Sequence, residues 1–345
     1  MKQSFNIPKE VLFVTEALEK AGFEAYIVGG CVRDILAGKS PKDFDITTNA
    51  TPEEIQNIFP DTFYENKFGT VGVENKETEN ELLKVIEVTP YRIESSYSNN
   101  RHPDEVVFSR NLEDDLKRRD FTMNAIAYRP ANEELVDLYE GQEAIKDKMI
   151  KAVGKAEERF KEDALRILRA VRFSTQHGFA IEQETMLAMQ KNVDLLANIS
   201  AERIRDEFTK MLMSDEPIVG VVMAQKLGIL KYIVPELEIG IGVEQKGEHI
   251  YDVWEHNLRT MQHAADKDWP LYIRLSGLFH DIAKPHTREW SKEKNKYTFY
   301  GHDVVGAKLT KKIMERLKFG NDLTEKVSRL VRYHMFFADV DEITL

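Results

Sequence analysis

Two hydrophobic spacings succeed one another along the chain, and each change of spacing marks a new element. Val11, Leu12, Val14, Ala17 and Leu18 recur at helical intervals between Pro8 and Gly22, with Gly22 as the stop. Tyr26-Ile27-Val28 then reads as a short buried strand. A Gly29-Gly30 turn, a short helix around Val32 to Ala37 and a second strand carrying Asp43 and Asp45 follow it. Residues two apart in a strand share a face, so the spacing predicts that the two aspartates stand side by side while Phe44 faces the core. Thr51-Pro52-Glu53-Glu54 has the cap, the proline and the acids of a helix start. Thr70 to Arg92 reads as strand, charged turn and strand, with Glu87 in the middle of Val85-Ile86-Glu87-Val88. Ile93 to Asp104, IESSYSNNRHPD, is polar and aperiodic, the pattern of a loop.

Helical spacing dominates the remainder. Leu112 to Tyr128 begins as a helix and carries Arg118-Arg119-Asp120 just before an apolar run. Gly141 to Gly154 reads as a charged connector that closes a first domain. In Phe160 to Phe179 the residues Leu165, Ile167, Leu168, Val171 and Phe173 form a buried stripe, and Asp163 and Arg166, three apart, are predicted neighbours on one helix surface. Ser200 to Met213 and Ile218 to Leu237 continue as helices with core-facing stripes.

Length and composition narrow the class. A chain of 345 residues has room for two or three domains, each with its own core. The formal charge of −11 argues against a protein that coats nucleic acid without selectivity, because phosphate contacts need Lys and Arg. The sign reverses locally: between Lys151 and Arg172 seven basic residues stand against four acidic ones. Cys31 is the sole cysteine, which excludes an intramolecular disulfide and a cysteine metal cluster. No apolar run approaches membrane-spanning length, and the first twenty residues read as an amphipathic helix rather than a signal peptide. A cytoplasmic protein without membrane contact is expected, and oligomeric state is left open.

The chemistry concentrates between Tyr26 and Thr48. Gly29 and Gly30 let backbone amides approach a phosphate closely. Paired carboxylates such as Asp43 and Asp45 hold Mg2+, which takes one or two carboxylates and leaves its other positions to water and substrate phosphates. A turn followed by an ordinary acidic strand is the plain alternative. The order Gly-Gly, twelve residues, Asp-x-Asp resembles the nucleotidyltransferase signature of the DNA polymerase beta superfamily. With Val32-Arg33-Asp34 after the glycines and Asp43-Phe44-Asp45-Ile46 at the end, the string resembles the class II tRNA nucleotidyltransferases and bacterial poly(A) polymerases.

That resemblance implies roles for further residues. Glu87, otherwise a solvent-facing position of an alternating strand, becomes the third carboxylate beside the acid pair. Gly29, Gly30 and Arg33 belong to the nucleotide-binding turn. Arg119, Asp120 and Asn124, in RRDFTMNA, hold the triphosphate and sugar of the incoming nucleotide, the arginine offering a fork of donors; the plain alternative is a solvated helix face. Asp163 and Arg166, in EDALR, match the motif that acts as an amino-acid template for the base. A carboxylate accepts from the amino group that cytosine and adenine share, and an arginine donates to the ring nitrogen beside it, so such a pair admits CTP and ATP and rejects UTP and GTP. A simple salt bridge is the alternative. Arg169 and Arg172 follow as candidate nucleotide contacts, and the segment from Ile93 to Asp104 is similar to the flexible loop of complete CCA-adding enzymes.

Histidines crowd the last hundred residues. Leu278-Phe279-His280-Asp281 puts adjacent His and Asp after an apolar helix and resembles the HD phosphohydrolase signature, with His256 before it and His302 and His334 after it. Imidazoles and a carboxylate suit Mn, Ni, Fe or Zn, and a bound metal supplies hydroxide for attack on a phosphoester. His249, His263 and His286 are further histidines of the region, while Asp339 and Asp341 are the remaining aspartates for the closing ligand that the resemblance implies. The resemblance also implies a tail that supports tRNA, so either a longer chain or a short member is expected.

Together these readings predict an α+β protein: a polymerase-beta-like nucleotidyltransferase head with a small mixed sheet over 1–150, an all-α neck and body over 151–240, and an all-α HD domain over 241–345. The expected activity is addition of C, C and A to the tRNA 3′ end from CTP and ATP. The rivals are an A-adding enzyme, a poly(A) polymerase, an HD phosphohydrolase acting on nucleotides or cyclic phosphate ends of RNA, and a noncatalytic RNA-binding protein.

Overall fold

A computed structural model of the chain describes residues 5–64, 69–95, 105–245 and 250–335. The centre of the expected loop after Ile93, together with His249, Asp339 and Asp341, lies outside the described residues. The chain divides into two compact units, Met1–Arg166 with Phe179–Asn192, and Ile167–Gly178 with Val193–Leu345.

The first unit is built on strands β1 (Ala25–Val28), β2 (Asp45–Thr48), β3 (Thr62–Tyr64), β4 (Val71–Glu74), β5 (Val85–Pro90), β6 (Arg92–Ser95), β7 (Glu105–Phe108), β8 (Ile126–Arg129) and β9 (Glu134–Asp137). Seven of them form one mixed sheet in the order β3-β4-β5-β2-β1-β8-β9, in which only β2 and β5 run parallel; β6 and β7 pair separately. Every residue of β1 is buried, as the apolar run demanded. Tyr26 and Val28 pack with Tyr91, Leu116 and Ala127 in one core cluster.

Helices α1 (Lys9–Lys20), α2 (Gly30–Leu36), α3 (Pro52–Ile58) and α4 (Leu112–Lys117) connect and cover these strands. The start of α3 is a full capping box between Thr51 and Glu54. Two local expectations change. Asp43 is exposed in the loop ahead of β2, which begins only at Asp45, because Lys39 to Lys42 offer no apolar face to extend the ladder. Gly141 to Gly154 is no connector. It forms α5 (Gly141–Lys146) and β10 (Met149–Ile150), with Ala144, Ile145 and Ile150 buried. Asp137 fastens its start by accepting from the amides of Gly141 (2.8 Å) and Gln142 (2.9 Å).

Beyond α6 (Ala156–Glu162) the expected single helix breaks at Asp163 and resumes as α7 (Leu165–His177). Asp163 has extended backbone angles, and its carboxylate accepts from the Leu165 amide at 3.1 Å, so the side chain starts the new helix instead of riding on the old one. Strand β11 (Ala180–Ile181), parallel to β10, and α8 (Gln183–Asn192) complete the first unit.

Among its described residues the second unit is helical apart from one hairpin: α9 (Ala201–Leu212), α10 (Pro217–Lys226), α11 (Val253–Asp266), α12 (Leu271–Phe279), strands β12 (Glu289–Ser291) and β13 (Lys296–Thr298), α13 (His302–Arg316) and α14 (Asn321–Tyr333). Buried Arg274 on α12 donates to the carbonyls of Leu212 (3.0 Å) and Ser214 (2.7 Å), satisfying backbone acceptors at the end of α9. Among the described residues no helix is long and apolar enough to cross a membrane.

Candidate active site and metal centre

The glycine turn and the acids meet at one end of β1 and β2. Gly29 has φ 85°, a left-handed value that favours glycine, and Gly30 opens α2 two residues earlier than the pattern suggested. A Cβ at Gly29 would lie 3.0 Å from Arg119 Nη1 and 3.9 Å from Asp45 Oδ2, so the missing side chain leaves room where a cation and an anion approach the turn. Asp45 pairs in register with Val28 on one side and with Glu87 on the other. Partners opposite one another in a sheet project to the same face, which sets the Glu87 side chain beside that of Asp45. Glu87 is exposed, in step with buried Ile86 and Val88, so the solvent-facing reading and the third-carboxylate reading describe one position.

Burial, then the charge of Asp43, push the Asp45 carboxyl up to about 6, against the pull of Arg119. An acid so disfavoured in its ionised form, with a second carboxylate near it, has the donor chemistry that a divalent cation relieves. Neighbouring Cys31 is buried, and burial followed by the Asp45 charge holds its thiol up at about 12, so it takes no part as a nucleophile.

Arg119 is aimed by a residue that sequence reading passed over. Asp115 is fully buried; its Oδ1 accepts from Arg118 Nε at 2.9 Å and its Oδ2 from Arg119 Nη2 at 3.0 Å. Burial alone would raise its pKa, but the two guanidiniums outweigh burial and hold it below the usual carboxylate range. The signal available was the four-residue spacing from Asp115 to Arg119. Behind them Asn124 accepts from Arg33 Nη1 at 2.8 Å and donates to Asp120 Oδ1 at 3.2 Å, a buried network that brings three predicted residues together. The segment after α5 holds this region in place: Thr122 donates to the Lys151 carbonyl at 2.9 Å, and Val153 to that of Asp120 at 3.1 Å.

Arg166 is buried, and its partners are not those expected. It donates to Glu162 Oε2 (2.6 Å), to the Arg159 carbonyl (3.0 Å) and to the Arg118 carbonyl (2.7 Å). The last bond ties it to the arginine pair. Arg169 and Arg172 fall in the second unit, where both meet Glu207, at 3.7 Å and 2.5 Å.

In that second unit the predicted His/Asp residues converge. His256 and His280 lie 3.4 and 3.3 Å from Asp281 Oδ2, and His302 and His334 lie 3.2 and 3.5 Å from Oδ1. The imidazoles of His280, His302 and His334 each direct Nδ1 at a backbone carbonyl, of Gly277 (2.8 Å), Phe299 (2.6 Å) and Val331 (2.7 Å). A carbonyl only accepts, so each Nδ1 carries hydrogen and each neutral ring turns a bare Nε2 inward. The Nε2 atoms of His302 and His334 stand 3.2 Å apart beside Asp281, whose Oδ1 is buried without a well-formed hydrogen bond. These donors fit a metal cation, with the second ring nitrogens of His280, His302 and His334 already fixed by backbone as metal-ligating histidines require. Lys284 Nζ, 2.6 Å from Asp281 Oδ2, balances the other oxygen; it was not singled out in the sequence.

Comparison with known proteins follows the same order along the chain. Residues 25–151 match the poly A polymerase head domain, 178–239 the probable RNA and SrmB-binding site of polymerase A, and 253–345 the HD domain. A CCA-adding enzyme of Lactococcus lactis is 46% identical over 236 residues, 67% of this chain and 58% of the relative. That of Geobacillus thermodenitrificans is 38% identical over 283 residues, 82% of this chain and 66% of the relative. The crystal structure of the Bacillus stearothermophilus CCA-adding enzyme in complex with CTP superposes with a TM-score of 0.62 at 30% identity, covering 95% of this chain and 82% of that one. Fold and sequence thus define a protein with a poly A polymerase head, an RNA-binding segment and an HD domain, in that order. The chain belongs to the family of CCA-adding enzymes and bacterial poly(A) polymerases, whose transfer chemistry uses a divalent metal. It spans 58% and 53% of the lengths of the first two curated relatives.

Proposed function

We propose that this chain is a CCA-adding tRNA nucleotidyltransferase, transferring C, C and A from CTP and ATP to the tRNA 3′ end with release of pyrophosphate. The observation that carries the reading is Asp45, its pKa raised beside Asp43, in register with Glu87 and facing the Gly29 turn across from Arg119. The names of three relatives, from Lactococcus lactis, Lactiplantibacillus plantarum and Geobacillus kaustophilus, each a CCA-adding enzyme, support the choice of product. In this reading residues 1–150 are the catalytic head, 151–240 the neck and body, and 241–345 the HD domain. Asp43 and Asp45 would hold Mg2+ with Glu87 assisting, and the bound ion would supply activation of the terminal hydroxyl and charge stabilisation for the leaving pyrophosphate. Gly29 and Gly30 clear space for the phosphates, and Arg119, aimed by Asp115, donates to them. Arg33, Asn124 and Asp120 hold the nucleotide as one network. Asp163 and Arg166 select the base, and Arg169 and Arg172 are further nucleotide contacts. A tRNA substrate makes the cytoplasm the expected compartment.

The His256, His280, Asp281, His302 and His334 cluster favours a second activity, metal-dependent hydrolysis of a phosphoester, with Mn, Ni, Fe or Zn as the suited ions. The test of the main reading uses three labelled tRNA transcripts, lacking CCA, ending in C or ending in CC, with CTP, ATP or both. Extension of all three to CCA followed by arrest is expected, and Asp43→Ala with Asp45→Ala should abolish it. Addition of A to the CC-ending transcript alone would make the protein A-adding, and long A tails a poly(A) polymerase.

A further inference from the structure

The hairpin between Arg288 and Tyr300 has no part in either site, yet it ends at one of them. Strands β12 and β13 pair only with each other, with Trp290 opposite Tyr297 and Ser291 opposite Lys296. One face therefore carries Arg288, Trp290 and Tyr297. The two rings meet edge to face at 5.0 Å, and the Arg288 guanidinium lies 3.8 Å over the Tyr297 ring, with its Nε buried and without a hydrogen bond. A cross-strand aromatic pair steadies a two-stranded hairpin, and that accounts for Tyr297. It does not account for the exposure of Trp290 (46%), nor for Tyr300, which follows the ladder, packs in no strand and is 71% exposed. Lys294 steadies Tyr300 instead, its Nζ 2.6 Å from the phenol oxygen.

The hairpin is locally basic in an acidic chain. Arg288, Lys292, Lys294 and Lys296 stand against Glu289 and Glu293 in a chain whose formal charge is −11, and the three lysines are exposed. Exposed aromatic rings interleaved with cations are the composition that binds single-stranded nucleic acid: bases stack on the rings while the cations meet the backbone phosphates. Position supplies the direction. Phe299, between Tyr297 and Tyr300, gives its carbonyl to His302 Nδ1 at 2.6 Å, and Lys284 Nζ lies 5.6 Å from its ring. A strand stacked on Tyr300 would thus end beside the His/Asp cluster.

We propose that the β12–β13 hairpin, with Tyr300, grips single-stranded RNA and presents its end to the His/Asp cluster. The grip stands on the hairpin alone; presentation to a metal centre rests on the second activity named above. The test is crosslinking of a 5-iodouridine single-stranded RNA to the full chain, with fluorescence anisotropy of the same RNA on wild type, Trp290→Ala with Tyr300→Ala, and Lys292→Gln with Lys294→Gln and Lys296→Gln. Crosslinks at Trp290 or Tyr300 are expected, with affinity lowered about tenfold or more by the aromatic variant. The lysine variant should lessen the slope of log affinity against log salt by about two. These side chains face solvent, and matching far-UV spectra check the fold. The lysine variant keeps both aromatic rings and tests the charge of the surface. Crosslinks confined to other segments, or affinities unchanged in both variants, would overturn the grip. Heparin displacing the RNA with no dependence on Trp290 or Tyr300 would reduce it to a polyanion patch and overturn it equally. Loss of binding in the variants, with no Mn-dependent phosphate release by wild type, would leave the grip standing and remove the hydrolytic reading.

Discussion

Two carboxylates in the head, half-buried Asp45 and buried Asp115, carry opposite electrostatic signs, and each yields a prediction at its own residue. Asp45 ionises at a cost, from burial and from Asp43. Asp45→Asn should therefore abolish nucleotide transfer while stabilising the metal-free head at pH 7.5 by on the order of 1 kcal/mol, read by thermal unfolding followed by far-UV dichroism. A less stable variant would mean that Asp45 is held by contacts other than the repulsion described. Asp115 is the reverse case, held below the usual range by Arg118 and Arg119 despite burial. A depressed carboxylate contributes stability that is complete above its unfolded pKa, near 4, and is lost as pH falls through the folded value. Acid titration of wild type should show that loss below pH 4, and Asp115→Asn should flatten it. At neutral pH Asp115→Ala should cost about 3–5 kcal/mol, because two arginines are left facing a buried gap. The acid pair, the glycines and the arginine at 119 were legible because each is a residue type with little other reason to stand in that order. Asp115 was not legible, since an acid within EDDLKRR looks like helix surface until the tertiary fold buries it.

At the scale of elements the sequence pattern was right where apolar periodicity was short and bounded, as in β1, α3 and β5, and wrong where a polar side chain competed with it. The apolar stripe from Leu165 to Phe173 said helix and ran back smoothly through Asp163. Local capping of Leu165 broke the helix there instead. The same break left Glu162, not Asp163, as the carboxylate on Arg166. Asp163→Ala should then raise misincorporation of UTP and GTP in single-turnover assays, and Glu162→Gln should do so to a smaller degree, since Arg166 keeps the Arg118 carbonyl. Equal discrimination in both variants would remove base selection from this turn. The segment 141–154 was misread for a different reason: its charges are evenly spread, and its few apolar residues are buried only because Asp137 turns the chain back onto the head. Gly141 marks the tightest point. A Cβ there would lie 2.3 Å from the Thr122 carbonyl oxygen and 2.6 Å from Ile126 Cγ1. Gly141→Ala should cost about 1–3 kcal/mol and raise the KM for nucleotide, because the displaced backbone is that of the Asp120 to Asn124 network.

Across the whole molecule, the two sets of donors belong to separate units and share no residue. The head offers oxygen donors alone, the chemistry of a hard ion exchanged with each nucleotide. The second unit offers imidazoles, three of them with the outer nitrogen already bonded to backbone, the chemistry of a borderline ion that stays bound. Their metal dependences should therefore separate. His302→Ala with His334→Ala should eliminate tightly bound metal, measured by elemental analysis of dialysed protein, and leave Mg-dependent CCA addition within about twofold of wild type. Asp43→Ala with Asp45→Ala should do the opposite, retaining the bound metal and any Mn-dependent phosphate release while abolishing extension. Loss of both activities in either variant, with the fold intact by far-UV dichroism, would show that the units are coupled, and each site would then have to be described with the other.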